Sequence, residues 1–160
     1  MPLSTIDNTG LSQSQILSAV NMPTGSVIQV VTASYNSQTS TTSTSYSSTG
    51  FSASITPQFS TSKILILLNM KPGTVANGAA VLYQIWRGGS SIYQFGVNTA
   101  YLNVSGLAEF HSSTSGCYLD SPASTSSVTY TIYFASLNSG QTAINNVNAD
   151  ISTITLMEIR

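Results

Sequence analysis

Charge is what this sequence has least of. Only 6% of its 160 residues are Asp, Glu, Lys or Arg, against roughly 25% in an ordinary globular domain. Four basic and five acidic side chains leave a formal net charge of −1. That excludes a basic patch able to neutralise several phosphates and argues against nucleic acid as a partner. The same shortage excludes a polybasic hold on an anionic membrane. Cysteine is nearly absent too: with Cys117 alone, no intrachain disulfide can form. A small, half-buried hydrophobe is its expected role. Histidine occurs once, as His111, and no nucleophile-elbow or active-site-cysteine signature surrounds either residue. No apolar run reaches the roughly 18 residues of a membrane-spanning helix. The opening MPLSTIDNTG has neither a basic nor an apolar region, so it is not expected to act as a secretory signal.

What remains is apolar and hydroxylated. Hydrophobic residues make up 41% of the chain, an ordinary share, and the length suits one domain with a sizeable core. A near-neutral surface repels its own copies weakly. The expectation is therefore an assembly in which much of the surface faces other protein.

Residues 1–24 read as an arm, distinct from the rest. Leu3, Ile6, Leu11, Ile16, Leu17 and Val20 are its sparse apolar groups. Ser12 could cap a short helical turn running to Val20, with Gln15 at the capping-box position. Two readings stay open: a tail without fixed structure, or an arm that a partner subunit holds.

From Gly25 onward the pattern is β. SVIQVVTA is β-branched and apolar. FSASI puts Phe51, Ala53 and Ile55 on one face and Ser52 and Ser54 on the other. KILILLNM (63–70) reads as a central strand buried on both sides. AVLYQIW and SSIYQFGV flank Gly88-Gly89, the residues a tight hairpin requires. In SVTYTIYFAS, Val128, Tyr130, Ile132 and Phe134 alternate with Thr129, Thr131 and Tyr133. Asn138-Ser139-Gly140 marks a turn. The last run, ISTITLMEIR, has apolar groups on both faces, so one is expected against the core and the other against a neighbouring strand or subunit. The Ser/Thr-rich stretch from Tyr35 to Pro57 carries Tyr35, Tyr46 and Phe51 as anchors and much β-branched Thr, and therefore reads as strand and turn within one domain, not as a linker. About seven to nine short strands with a turn every ten residues or so indicate an all-β, antiparallel, jelly-roll-like β-sandwich over 25–160, preceded by the short N-terminal arm.

Little here could carry chemistry. Glu109 and His111 share a face but lack a third ligand, so no metal or cofactor is expected. Asp120, in YLDSPAS, reads as a turn former. Glycoside hydrolysis would need it brought together with a second carboxylate such as Glu109, which nothing in the sequence indicates, and the chain is not expected to be an enzyme. Trp86, Tyr83, Tyr93, Phe95 and Tyr101 lie close in sequence; they suit either a sugar-binding platform or the core packing of a hairpin.

Four stretches carry a resemblance: MPTGSVIQVVTASYNS (22–37), TGFSASITPQFSTSKILIL (49–67), YLDSPASTSSVTYTIYFAS (118–136) and STITLMEI (152–159). Their order resembles that of virion structural proteins of tailed bacteriophages, especially those of cyanobacteria and other aquatic hosts. The resemblance covers about residues 20–160 and implies a non-enzymatic virion module, as a shell protein or in a tail fibre, and a homo-oligomer, expected to be a trimer. With only a short arm before the sandwich and no fibre shaft, the expectation is a head decoration (cement) protein bound to the major capsid protein. The arm residues Leu3, Ile6, Leu11, Ile16 and Leu17 are then the expected capsid contacts, and Tyr133, Ile154 and Leu156 the expected subunit contacts. The alternative is a tail-fibre or receptor-binding module that touches host glycan.

Overall fold

The computed structural model describes residues 19–75, 77–104, 106 and 109–160. A 3₁₀ turn, Ala19–Asn21, precedes twelve strands: β1 (Val27–Tyr35), β2 (Thr39–Thr41), β3 (Ser47–Ile55), β4 (Lys63–Met70), β5 (Pro72–Thr74), β6 (Val81–Arg87), β7 (Ser90–Thr99), β8 (Phe110–His111), β9 (Thr114–Asp120), β10 (Val128–Ser136), β11 (Ala143–Asn145) and β12 (Ser152–Ile159). Every pairing is antiparallel. Among the described residues no helix is long and apolar enough to cross a membrane.

Strand order gives the architecture. One four-stranded sheet runs β1-β12-β4-β9 and the other β3-β10-β6-β7. Taking the eight long strands in chain order, the first sheet holds the first, eighth, third and sixth, and the second holds the second, seventh, fourth and fifth. That is the double Greek key of a jelly roll. Period-2 alternation fills the space between the sheets: Phe51, Ala53 and Ile55 from β3, Ile64, Ile66, Leu68 and Met70 from β4, Tyr130, Ile132 and Phe134 from β10, and Ile154 and Leu156 from β12. Each fully buried Ile, Leu or Phe contributes about 1.5–3 kcal/mol. β6 and β7 meet at Gly88-Gly89, whose φ values of 57° and 83° give the doubly left-handed turn that suits a two-residue hairpin.

β4 corrects one expectation. It is central, lying between β12 and β9, but only one of its faces is covered. Ile64, Ile66, Leu68 and Met70 point inward, while Lys63 and Leu67 are exposed and Leu65 and Asn69 half-buried. The continuous apolar run suggested a second protein layer, and the described chain supplies none.

The four short strands form a third sheet, β2-β11-β5-β8. Its order copies that of the first sheet, and each of its strands is a chain neighbour of its counterpart. The third sheet is therefore the first one bent over the end of the sandwich as a cap. Asn146 makes the bend. Its left-handed φ of 55° starts the turn between β11 and β12, which a second 3₁₀ turn, Val147–Ala149, completes with Asn148 and Ala149 also at positive φ. Asn tolerates this conformation well. Its backbone N–H donates to the Lys71 carbonyl at 2.9 Å. Its side-chain amide donates to the carbonyls of Tyr35 at 3.0 Å and Ser37 at 3.3 Å. Its Oδ1 accepts from the Ser152 hydroxyl, which in turn accepts from the Lys71 N–H at 3.2 Å. One buried side chain thus ties together three of the four strands at the crease.

At the opposite end lie two buried carboxylates. Asp120, at 5% exposure, accepts from Arg87 Nη1 and from the Tyr130 hydroxyl at 2.7 Å each. This corrects its reading as a surface turn former: it closes β9 inside the sandwich, and the turn follows it. Glu158, fully buried, accepts from the backbone N–H of Gln58 at 2.7 Å and of Phe59 at 3.4 Å, fixing the turn after β3.

Candidate interaction surfaces

The described residues contain no group of three or more His, Cys, Asp or Glu positioned to hold a metal. Glu109 and His111 meet at 3.1 Å as an exposed pair. Asp120 and Glu109 stand near opposite ends of β9, so they do not face a common substrate. What the fold offers instead is two broad sheet faces of contrasting chemistry.

The outer face of the first sheet is built from register. Val30, Met157, Leu65 and Leu119 lie side by side across all four strands. The next row is Thr32, Thr155, Leu67 and Cys117, and the one after it Ser34, Thr153, Asn69 and Ser115. Val27, Ile159 and Lys63 close the far end. Val30 is 55% exposed, Leu119 46% and Val27 45%. Lys63 is the only charged residue in these rows. Strand spacing of about 4.8 Å and rows about 7 Å apart give the whole face roughly 400 Å²; its apolar part, the Val30 row with Leu67, Cys117, Val27 and Ile159, is about half of that, an ordinary size for a patch on a monomer. Cys117 is exposed in this face, not half-buried as expected.

The outer face of the second sheet is hydroxyl- and amide-rich. Ser52, Thr131, Trp86 and Ser91 form one row, and Ser48, Tyr133, Gln84 and Gln94 the next. Neither row contains a charge. Trp86 and Tyr133 stack diagonally, with centroids 4.2 Å apart and planes at 14°. Trp86 Nε1 donates to Gln84 Oε1 at 2.9 Å. The Gln84 amide also lies against the Tyr46 hydroxyl; partial burial pushes that hydroxyl above its ordinary range, and the amide pulls the other way. At the edge, Ser54 and Thr129 share a hydroxyl hydrogen bond of 2.7 Å.

The expected contact residues separate cleanly. Leu3, Ile6, Leu11, Ile16 and Leu17 lie outside the described residues. Tyr133 does face outward. Ile154 and Leu156 do not: each is 0% exposed, inside the core, and the outward residues of β12 are Thr153, Thr155, Met157 and Ile159. Both faces of β12 are apolar in sequence, so alternation alone could not say which one pointed in. Of the clustered aromatics, Tyr83 and Phe95 stack in the core at 5.5 Å. Tyr93 stacks on Tyr118 at 4.6 Å, and Tyr101 is 46% exposed. Only Trp86 joins an outer sheet face with Tyr133, and Tyr46 and Gln84, which complete that cluster, were missed because their proximity depends on pairing across strands. The chain enters the sandwich at the Val27 corner, where the Gly25 N–H donates to the Arg160 carbonyl at 2.7 Å and Arg160 Nη1 donates to the Met22 carbonyl.

No protein-family model matches this sequence, and no curated protein does. Solved structures from infectious bursal disease virus are similar in fold. A chain of the Gx strain structure aligns with 82% of this chain and 32% of its own length, at 14% identity and a TM-score of 0.50. The VP2 subviral particle aligns over 82% of this chain and 37% of that one, at 13% identity and a TM-score of 0.45. A mutant VP2 in T=1 particles aligns over 100% and 41%, at 11% identity and a TM-score of 0.47. This chain therefore spans well under half the length of each. At such identities the likeness is one of fold.

Proposed function

We propose that this chain is a non-enzymatic structural component of a virus particle, a head-decorating protein that docks on the major capsid protein and on its own copies. The observation that carries this reading is the nearly uncharged outer face of the first sheet, with exposed Val27, Val30, Leu67 and Leu119 at its apolar end, on a jelly-roll domain. Jelly rolls are frequent in viral shells, and the Gx strain chain of infectious bursal disease virus shares the fold. The face covers roughly 400 Å² per copy, so a contact between two such faces stays below the 1,200 Å² or so of a stable isolated complex. Repetition over a symmetric shell supplies the remainder through avidity. Three copies per unit is the stoichiometry that the tailed-phage resemblance implies. Residues 1–24 act in this reading as the arm on the capsid.

Quantitative mass spectrometry of purified particles tests the proposal. Head decoration requires copy numbers on the order of hundreds per particle, as symmetry dictates. A handful of copies would move the chain to the tail, and its absence from particles would overturn the reading.

A further inference from the structure

We propose that the outer face of the second sheet binds neutral saccharide, with Trp86 and Tyr133 as the ring platform, Gln84 holding the Trp86 ring in place, and Gln94, Thr131 and Ser52 as partners for sugar hydroxyls. The inference does not rest on a virion role. Three observations carry it. First, the chain's only Trp sits on an outer face and not in the core. Its N–H is held by Gln84 and its ring by Tyr133, so the platform is pre-organised and loses little entropy when a ligand lands. Second, the rows around the rings are amides and hydroxyls on rigid strands, the donor and acceptor types that match a polyol. Third, the rows carry no charge, and Arg87 at their margin is engaged by Asp120.

The third point selects the ligand class. Bases could stack on the rings, but no cation is free in these rows to meet a phosphate, and phosphate contacts dominate nucleic-acid affinity. An acidic sugar lacks a counter-charge for the same reason. A protein partner could also anchor on Trp86 and Tyr133, but the rows around the rings are hydroxyls and amides, which match a polyol better than an apolar anchor site. A neutral saccharide needs aromatic surface and hydrogen bonds. Trp86 and Tyr133 are half-buried and cover one face of each other, so the remaining surface of the pair and the flanking Gln94, Thr131 and Ser52 are what a sugar would meet.

Because Trp86 is the only Trp, its fluorescence reports on this site alone. The full chain is titrated with neutral gluco-, galacto-, manno- and N-acetylglucosamine oligosaccharides, and in parallel with dextran sulfate and a thymidine oligonucleotide. A saturable emission change with at least one neutral series, insensitive to salt, is expected. Tyr133→Ala weakens it about tenfold or more. Gln94→Ala removes an exposed amide without disturbing the ring stack and keeps the test valid if Tyr133→Ala unfolds. No response to any neutral series overturns the proposal. So does binding that both variants leave unchanged, or binding confined to the charged polymers and lost in salt.

Discussion

Asp120 and Tyr83 show what single residues contribute. Asp120 receives two hydrogen bonds of 2.7 Å, one from a guanidinium and one from a buried hydroxyl. Asp120→Ala strands both donors and is expected to cost about 2–4 kcal/mol, read by urea denaturation. A loss under half a kcal/mol would show that water replaces the carboxylate. Tyr83 is fully buried and donates to Asn145 Oδ1 at 3.0 Å. Burial pushes its hydroxyl well above the ordinary value of 10.0. The unfolded chain therefore releases this proton first as pH rises. The stability that comes from keeping Tyr83 neutral is complete below about pH 10 and drains away above it, by about 1.4 kcal/mol per pH unit. Tyr83→Phe should remove that part of the alkaline slope, and an unchanged slope would assign it to other groups. None of this was visible in the sequence. YLDSPAS advertises a turn, whereas the partners of Asp120 arrive from strands that only the fold brings near.

At the scale of elements, local chemistry was a good guide to strands and a poor one to faces. The β6–β7 hairpin follows from Gly88-Gly89, and the β10 alternation from Val128 to Phe134. β4 and β12 were ambiguous because both of their faces are apolar; Ile154 and Leu156 turned inward, and Leu65, Leu67 and Met157 outward. The cap sheet could not be read at all. Its strands are two or three residues long, and they exist because the first sheet continues past a crease tied by Asn146. Asn146→Ala removes the side-chain bonds to Tyr35, Ser37 and Ser152 and places a non-Asn residue at positive φ. A loss of about 2 kcal/mol is expected, concentrated in the cap. Hydrogen exchange should accelerate in β2, β5 and β11 and stay slow in β4, β10 and β12. Uniform acceleration would mean that cap and sandwich open as one unit.

For the whole molecule, low charge acquires a location. The outer rows of the second sheet are uncharged but hydrated through hydroxyls and amides, while those of the first sheet carry one charge, Lys63, and are apolar at the Val27–Val30 end. The sequence announced a tendency to associate, yet not the face that carries it, since the patch is assembled from β1, β12, β4 and β9. Leu67→Glu places a charge in the middle of that face. Because Leu67 is exposed, the melting curve of the free chain should shift by no more than about half a kcal/mol in stability, while incorporation into particles is lost. A destabilised monomer would indicate that Leu67 packs inside its own chain.

Cys117, the only cysteine, lies in this same apolar face and is exposed in the free chain. Its alkylation rate with iodoacetamide, compared between purified chain and intact particles, is the most direct measurement. If the first sheet docks, the thiol should react about tenfold or more slowly in particles and regain its free rate when they are dissociated. Equal rates in the two states would contradict docking through this face.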